Sequence, residues 1–192
     1  MLSSINPLGE RARHQGFWVT VSWYLLGSVM GGVAVGSLSG WVGSLLPSGT
    51  WRTFAVIVVC LLGAGLELMG RQPPSVHRQV DENWLARYRG WVYGWGFGFQ
   101  LGLGVVTIVT TASVYTTIAL AMLSGSLALG AVVGGIFGLA RAVAIFLVAG
   151  AHDPGTLRRA LRKLQGGLPS ARVLVVGAQT VAALTAVVVL VR

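Results

Sequence analysis

The chain has 192 residues, 54% of them hydrophobic and only 10% charged, with a net charge of +9. The few charges fall in short segments between long apolar runs, which excludes an ordinary soluble domain and a nucleic-acid-binding patch. The composition predicts an all-α, polytopic transmembrane helix bundle of about five spans in one domain, 1–192, since helices satisfy their own backbone groups in lipid.

The first apolar run, 17–46, follows Arg11 and Arg13 and is too long for a signal-peptide core, so it is expected to stay as the first span. Ser28, Gly32, Gly36, Gly40 and Ser44 recur along it every four residues. The second span, 53–70, holds the single cysteine, Cys60, which rules out an intramolecular disulfide. It also holds Glu67. The segment 72–90 opens on Pro73-Pro74, carries Arg78, Arg87 and Arg89, and is expected to turn helical near Asp81. Trp84, Trp91 and Trp95 suit an aromatic belt at one membrane surface, and Trp41 and Trp51 suit the other.

The third span, 91–123, repeats the glycine spacing at Gly94, Gly98 and Gly102. Its polar residues are Gln100 and a run of hydroxyls that includes Thr107, Thr110 and Thr111. The fourth, 127–150, carries Gly130, Gly134 and Gly138, and also Arg141. Such rows let helix backbones approach in lipid, which predicts a centre made of spans 1, 3 and 4. A discontinuous helix around a substrate path is the other use of these glycines, with Gly31–Gly32 and Gly134–Gly135 as break points. The hydroxyls either bond back to their own helix or line a hydrated path.

After the fourth span, Asp153-Pro154 reads as a helix start for 154–165. Leu157, Ala160, Leu161 and Leu164 form its apolar face. Arg158, Arg159, Arg162 and Lys163 form the basic one, which is expected to meet anionic lipid headgroups at the interface or an acidic partner. The fifth span is 173–191. Basic residues crowd alternate loops, so the N-terminus is expected in the cytoplasm and the C-terminus outside, in a bacterial-type plasma membrane.

Within the spans the two charges lie at different depths. Glu67 is four residues from Arg71, about 6 Å inside the span's end; Arg141 is ten residues from Ala151, about 15 Å deep and near the midplane. Gln100 sits about 14 Å deep on a span of opposite direction. An ionisable group at midplane needs a partner. The candidates are Gln100, carbonyls freed at the glycine-rich segments, and Glu67. Arg141 is expected either to pin span 4 structurally or to bind an anion. His14, His77 and His152 lie in or beside loops, and no metal-ligand spacing or phosphate loop is present, so no metal, cofactor or catalytic residue is expected.

The stretch 94–141, about a quarter of the chain, resembles the glycine-rich helices of the group that includes the CcdA/DsbD-type thiol electron carriers and the TauE- and LysE-type exporters. The resemblance implies a polytopic membrane protein and leaves export conceivable. The carriers use a cysteine pair on proline-bearing helices. This chain has one cysteine and no proline inside a span, so thiol transfer is not implied. The leading expectation is a small transporter or transporter subunit for an anionic or small polar solute, with Arg141, Gln100, Glu67, Thr107, Thr110 and Thr111 along its path. The alternative is a non-transporting scaffold or accessory subunit, as a homo-oligomer or with another membrane subunit.

Overall fold

The computed structural model describes residues 5–70, 87–104, 112–151 and 153–191. The protein is an all-α polytopic bundle, with no strand among the described residues. Its elements are α1 (Pro7–Ala12), α2 (Phe17–Ser44), α3 (Trp51–Leu68), α4 (Gly90–Leu103), α5 (Ser113–Leu123), α6 (Leu127–Val143, prolonged by a 3₁₀ turn over Ala144–Val148), α7 (Pro154–Gly166) and α8 (Leu168–Val191). Four helical stretches are long and apolar enough to cross a membrane: Phe17–Ser44, Trp51–Leu68, Leu127–Val148 and Ser170–Val188. Of the third expected span, 91–123, the described residues form α4 and α5, and 105–111 lie outside the described residues.

Local chemistry sets the ends of these helices. Asn6 caps α1, its side-chain oxygen accepting from the Gly9 N–H at 2.9 Å. Ser126 does the same for α6 through the Leu129 N–H at 3.4 Å. Gly104 ends α4 with φ +73°, a left-handed conformation that glycine adopts without the Cβ penalty.

The break points expected at Gly31–Gly32 and Gly134–Gly135 are not breaks. Both pairs lie inside uninterrupted helices. The reason is the company they keep: α2 is a spine packed on α6 along one side and on α4 along another. A methyl group added at Gly32 or Gly36 would overlap the carbonyl of Gly134 or Gly130, and one added at Gly40 would overlap that of Ser126. The overlaps are reciprocal at Gly130 and Gly134, and a methyl group at Gly138 would overlap the Ser28 carbonyl. Across the second face, Gly94, Gly98 and Gly102 lie against the carbonyls of Thr20, Tyr24 and Ser28. Contact this close multiplies dispersion and Cα–H···O contacts, and it holds the glycine-bearing turns in place. Ser28 stands where the three helices meet, and its hydroxyl donates to the Gly138 carbonyl at 2.7 Å.

A buried cluster of Ile5, Val21, Tyr24, Tyr93, Phe97, Ala142, Ile145 and Val148 fills the end of the bundle that carries α1 and α7. The second layer is the pair α3 and α8, joined to the spine chiefly through α5. Outward-facing side chains such as Leu62, Ile136 and Leu174 are more than half exposed, as the lipid-facing surface of a membrane bundle requires.

Candidate functional site

Arg141 sits in the last turn of α6 and is half-buried. Its Nη1 donates to the Leu101 carbonyl at 2.8 Å, and its guanidinium lies 5.5 Å from the Phe137 ring centroid. Leu101 is in the last turn of α4, where its carbonyl also accepts from the Gly104 N–H at 3.1 Å and the helix dipole is negative. A cation placed there answers a need of the helix end while satisfying its own. Gly104 makes the contact possible: a methyl group there would come within 3.4 Å of Arg141 Nη1 and 3.0 Å of Val114.

The other residues expected around Arg141 separate from it. Gln100 is half-buried on α4 and makes no hydrogen bond with Arg141 among the described residues. Glu67 belongs to the α3 face formed by Cys60, Gly63 and Ala64; it is 6% exposed, and its Oε1 has no hydrogen-bond partner. No ion pair joins it to Arg141 among the described residues. Thr107, Thr110 and Thr111 lie outside the described residues. The four basic residues Arg158, Arg159, Arg162 and Lys163 are exposed on α7.

A cavity of about 390 Å³ reaches Arg141 from the seam between α3, α5, α6 and α8. Its polar lining comes from Arg141, Ser113, Thr116, Thr117 and Gln179, with Cys60 among the other lining residues. Gln179 Nε2 donates to the Thr116 hydroxyl at 3.4 Å, a long bond, and its Oε1 is buried without a partner. The sequence reading missed Gln179, although it is the one amide in 173–191. It also missed Glu10. That carboxylate is fully buried and accepts from Tyr93 Oη at 2.6 Å, from Thr20 Oγ1 at 2.7 Å and from Arg13 Nη2 at 2.7 Å, tying α1 to α2 and α4. The available signal was the spacing of three between Glu10 and Arg13, the C-cap of the short helix α1. Burial works against the Arg13 charge, but Glu10 and Tyr93 outweigh it and hold the guanidinium pKa above its usual value. Among the described residues no group of three or more His, Cys, Asp or Glu side chains is placed to hold a metal ion.

No family model matches the chain, and no solved structure matches it. Curated proteins do. The chain is similar to the methylamine utilization protein MauF. It is 30% identical to MauF of Paracoccus versutus over 147 residues, covering 73% of this chain and 54% of the relative. To MauF of Methylophilus methylotrophus it is 31% identical over 127 residues, 64% of this chain and 45% of the relative. MauF of Methylobacillus flagellatus is 30% identical over 155 residues, 75% of this chain and 53% of the relative. The chain spans about half the length of the MauF proteins it matches.

Proposed function

We propose that this chain is a membrane-embedded accessory protein, a helical scaffold that serves a larger assembly in the use of small amines such as methylamine. The similarity to MauF carries the reading, because it is the observation that points to a biochemical setting. The geometry is in keeping with it. The centre of the bundle is packed through its glycine rows, Arg141 is engaged by a helix end, and long apolar faces on α6 and α8 are open to lipid or to a neighbouring helix. The glycine rows and Arg141 are then packing and pinning elements, in a protein of the plasma membrane with its N-terminus in the cytoplasm. The likeness of 94–141 to the CcdA/DsbD, TauE and LysE group supports the membrane setting without thiol transfer or any catalytic step.

Deleting the chain from its host tests this. Growth on methylamine as sole nitrogen source should be lost while growth on ammonium continues; unimpaired growth on methylamine would remove the amine setting.

One observation favours a second reading, the sequence-based expectation of transport. The cavity of about 390 Å³ brings Arg141, Gln179 and three hydroxyls to one space, a size and lining suited to a small polar solute. Proteoliposomes separate the two. Saturable uptake of labelled methylamine or of a small carboxylate, abolished by Arg141→Ala, would establish the path; the accessory reading expects no uptake above that of empty vesicles.

A further inference from the structure

A second cavity lies away from Arg141. It occupies about 920 Å³ between α7, the 3₁₀ turn that ends α6, and the beginning of α8, and its lining includes Leu147, Thr156, Arg159, Ala160, Lys163 and Ala171. We infer that this crevice is a binding site for one anionic phospholipid, with the phosphate held by Arg159 and Lys163 and an acyl chain lying along Leu147, Ala160 and Ala171.

The position comes from the topology. The span Leu127–Val148 ends in the 3₁₀ turn and the span Ser170–Val188 begins just beyond Gly167, so α7 joins two spans at the same membrane face. The crevice therefore lies at headgroup height, open to lipid on its apolar side. α7 is held against the bundle by Leu157 and Ala160, which pack on the cluster containing Ile145 and Val148. That contact turns one flank of α7 toward the crevice. Thr156, Arg159, Ala160 and Lys163 fall on this flank, while Arg158 and Arg162, four residues apart on the other, do not line the cavity.

The charges complete the match. Arg159 Nη2 donates to Thr156 Oγ1 at 3.2 Å, and the Asp153 carboxylate is engaged by the Thr156 hydroxyl and N–H. Among the described residues no carboxylate forms an ion pair with Arg159 or Lys163. Two cations at the mouth of an apolar crevice suit an amphiphile with an anionic head. A free phosphate would use the head position alone, and an acidic peptide would not need the apolar floor.

The site differs from diffuse attraction in a way that can be measured. Native mass spectrometry of the detergent-purified protein, with phosphatidylglycerol or phosphatidylcholine added at equal concentration, reads lipid retention directly. Wild type should hold phosphatidylglycerol roughly 30-fold more tightly, as about two basic contacts imply. Arg159→Ala/Lys163→Ala should abolish that preference. Arg158→Ala/Arg162→Ala, which removes the same charge, should leave it within about twofold, and Lys163→Arg should preserve it. All four positions are exposed, so matched circular dichroism confirms that each variant is folded. Equal loss in the two double variants would overturn the proposal, as would displacement of the lipid by an equal concentration of inorganic phosphate or of a polyglutamate peptide.

Discussion

At the scale of single residues, Arg141 shows how a backbone carbonyl can engage a cation in an otherwise apolar helix. One partner is the Leu101 carbonyl at the end of α4, which also accepts from the N–H of Gly104, the left-handed residue that ends the helix. Removing the guanidinium leaves the Leu101 carbonyl with one partner fewer inside the bundle. Arg141→Ala should therefore lower stability by roughly 1.5–3 kcal/mol, the range for hydrogen bonds to charged groups. Arg141→Lys keeps the charge but not the planar fork, and should recover part of this. Thermal unfolding in detergent checks both. The sequence marked Arg141 as a charge that needs a partner, with a carbonyl at a glycine-rich segment among the candidates. Which carbonyl it would be was not legible, because 91–123 reads as one apolar stretch and nothing in its composition marks the end at Gly104. Gln179 and Glu10 were missed for a related reason: a lone amide in a span, or an acid in a short terminal helix, gains meaning only from what it faces.

Among the helices, the glycine rows hold the spine together. Gly36→Leu would drive a side chain into the Gly130 carbonyl and the Gly134 backbone and should unseat α6 from α2, a loss well above the roughly 1–3 kcal/mol of ordinary overpacking. Gly65 has open space around its position on α3, so Gly65→Ala should be neutral or stabilising by up to about 1 kcal/mol. Chemical denaturation in mixed micelles distinguishes the two. The spacing of four reveals which residues share a helix face, and so the rows could be read from sequence. Which row meets which is a matter of tertiary packing, and the opposed rows of α2 and α6 emerged only from the fold. At α7 the cap has a pH signature. The Thr156 hydroxyl and N–H hold the Asp153 carboxyl below its usual value, so its contribution is present above about pH 4 and is lost as pH falls through the lower, folded value. Amide protection over 155–158, corrected for intrinsic exchange, should fall in acid and be insensitive to pH between 5 and 7.

For the whole molecule, the protein has two layers. A glycine-packed spine of α2, α4 and α6 supports the looser pair α3 and α8, and the cavity at Arg141 opens at the seam between them. The bundle class was legible in composition alone, whereas the end of α4 at Gly104 was not. The loop charges make a topological prediction: a phosphatase fused at the C-terminus should be active outside the cell, and one fused within 72–86 should be inactive. The broader reading is of a scaffold that works beside other membrane subunits. Its most direct test is the mass of the species extracted gently from native membranes and weighed by native mass spectrometry. The accessory reading predicts the 20.1 kDa chain within a larger assembly that contains at least one different membrane subunit. Recovery of the chain only by itself, as a monomer or as copies of one another, would contradict it.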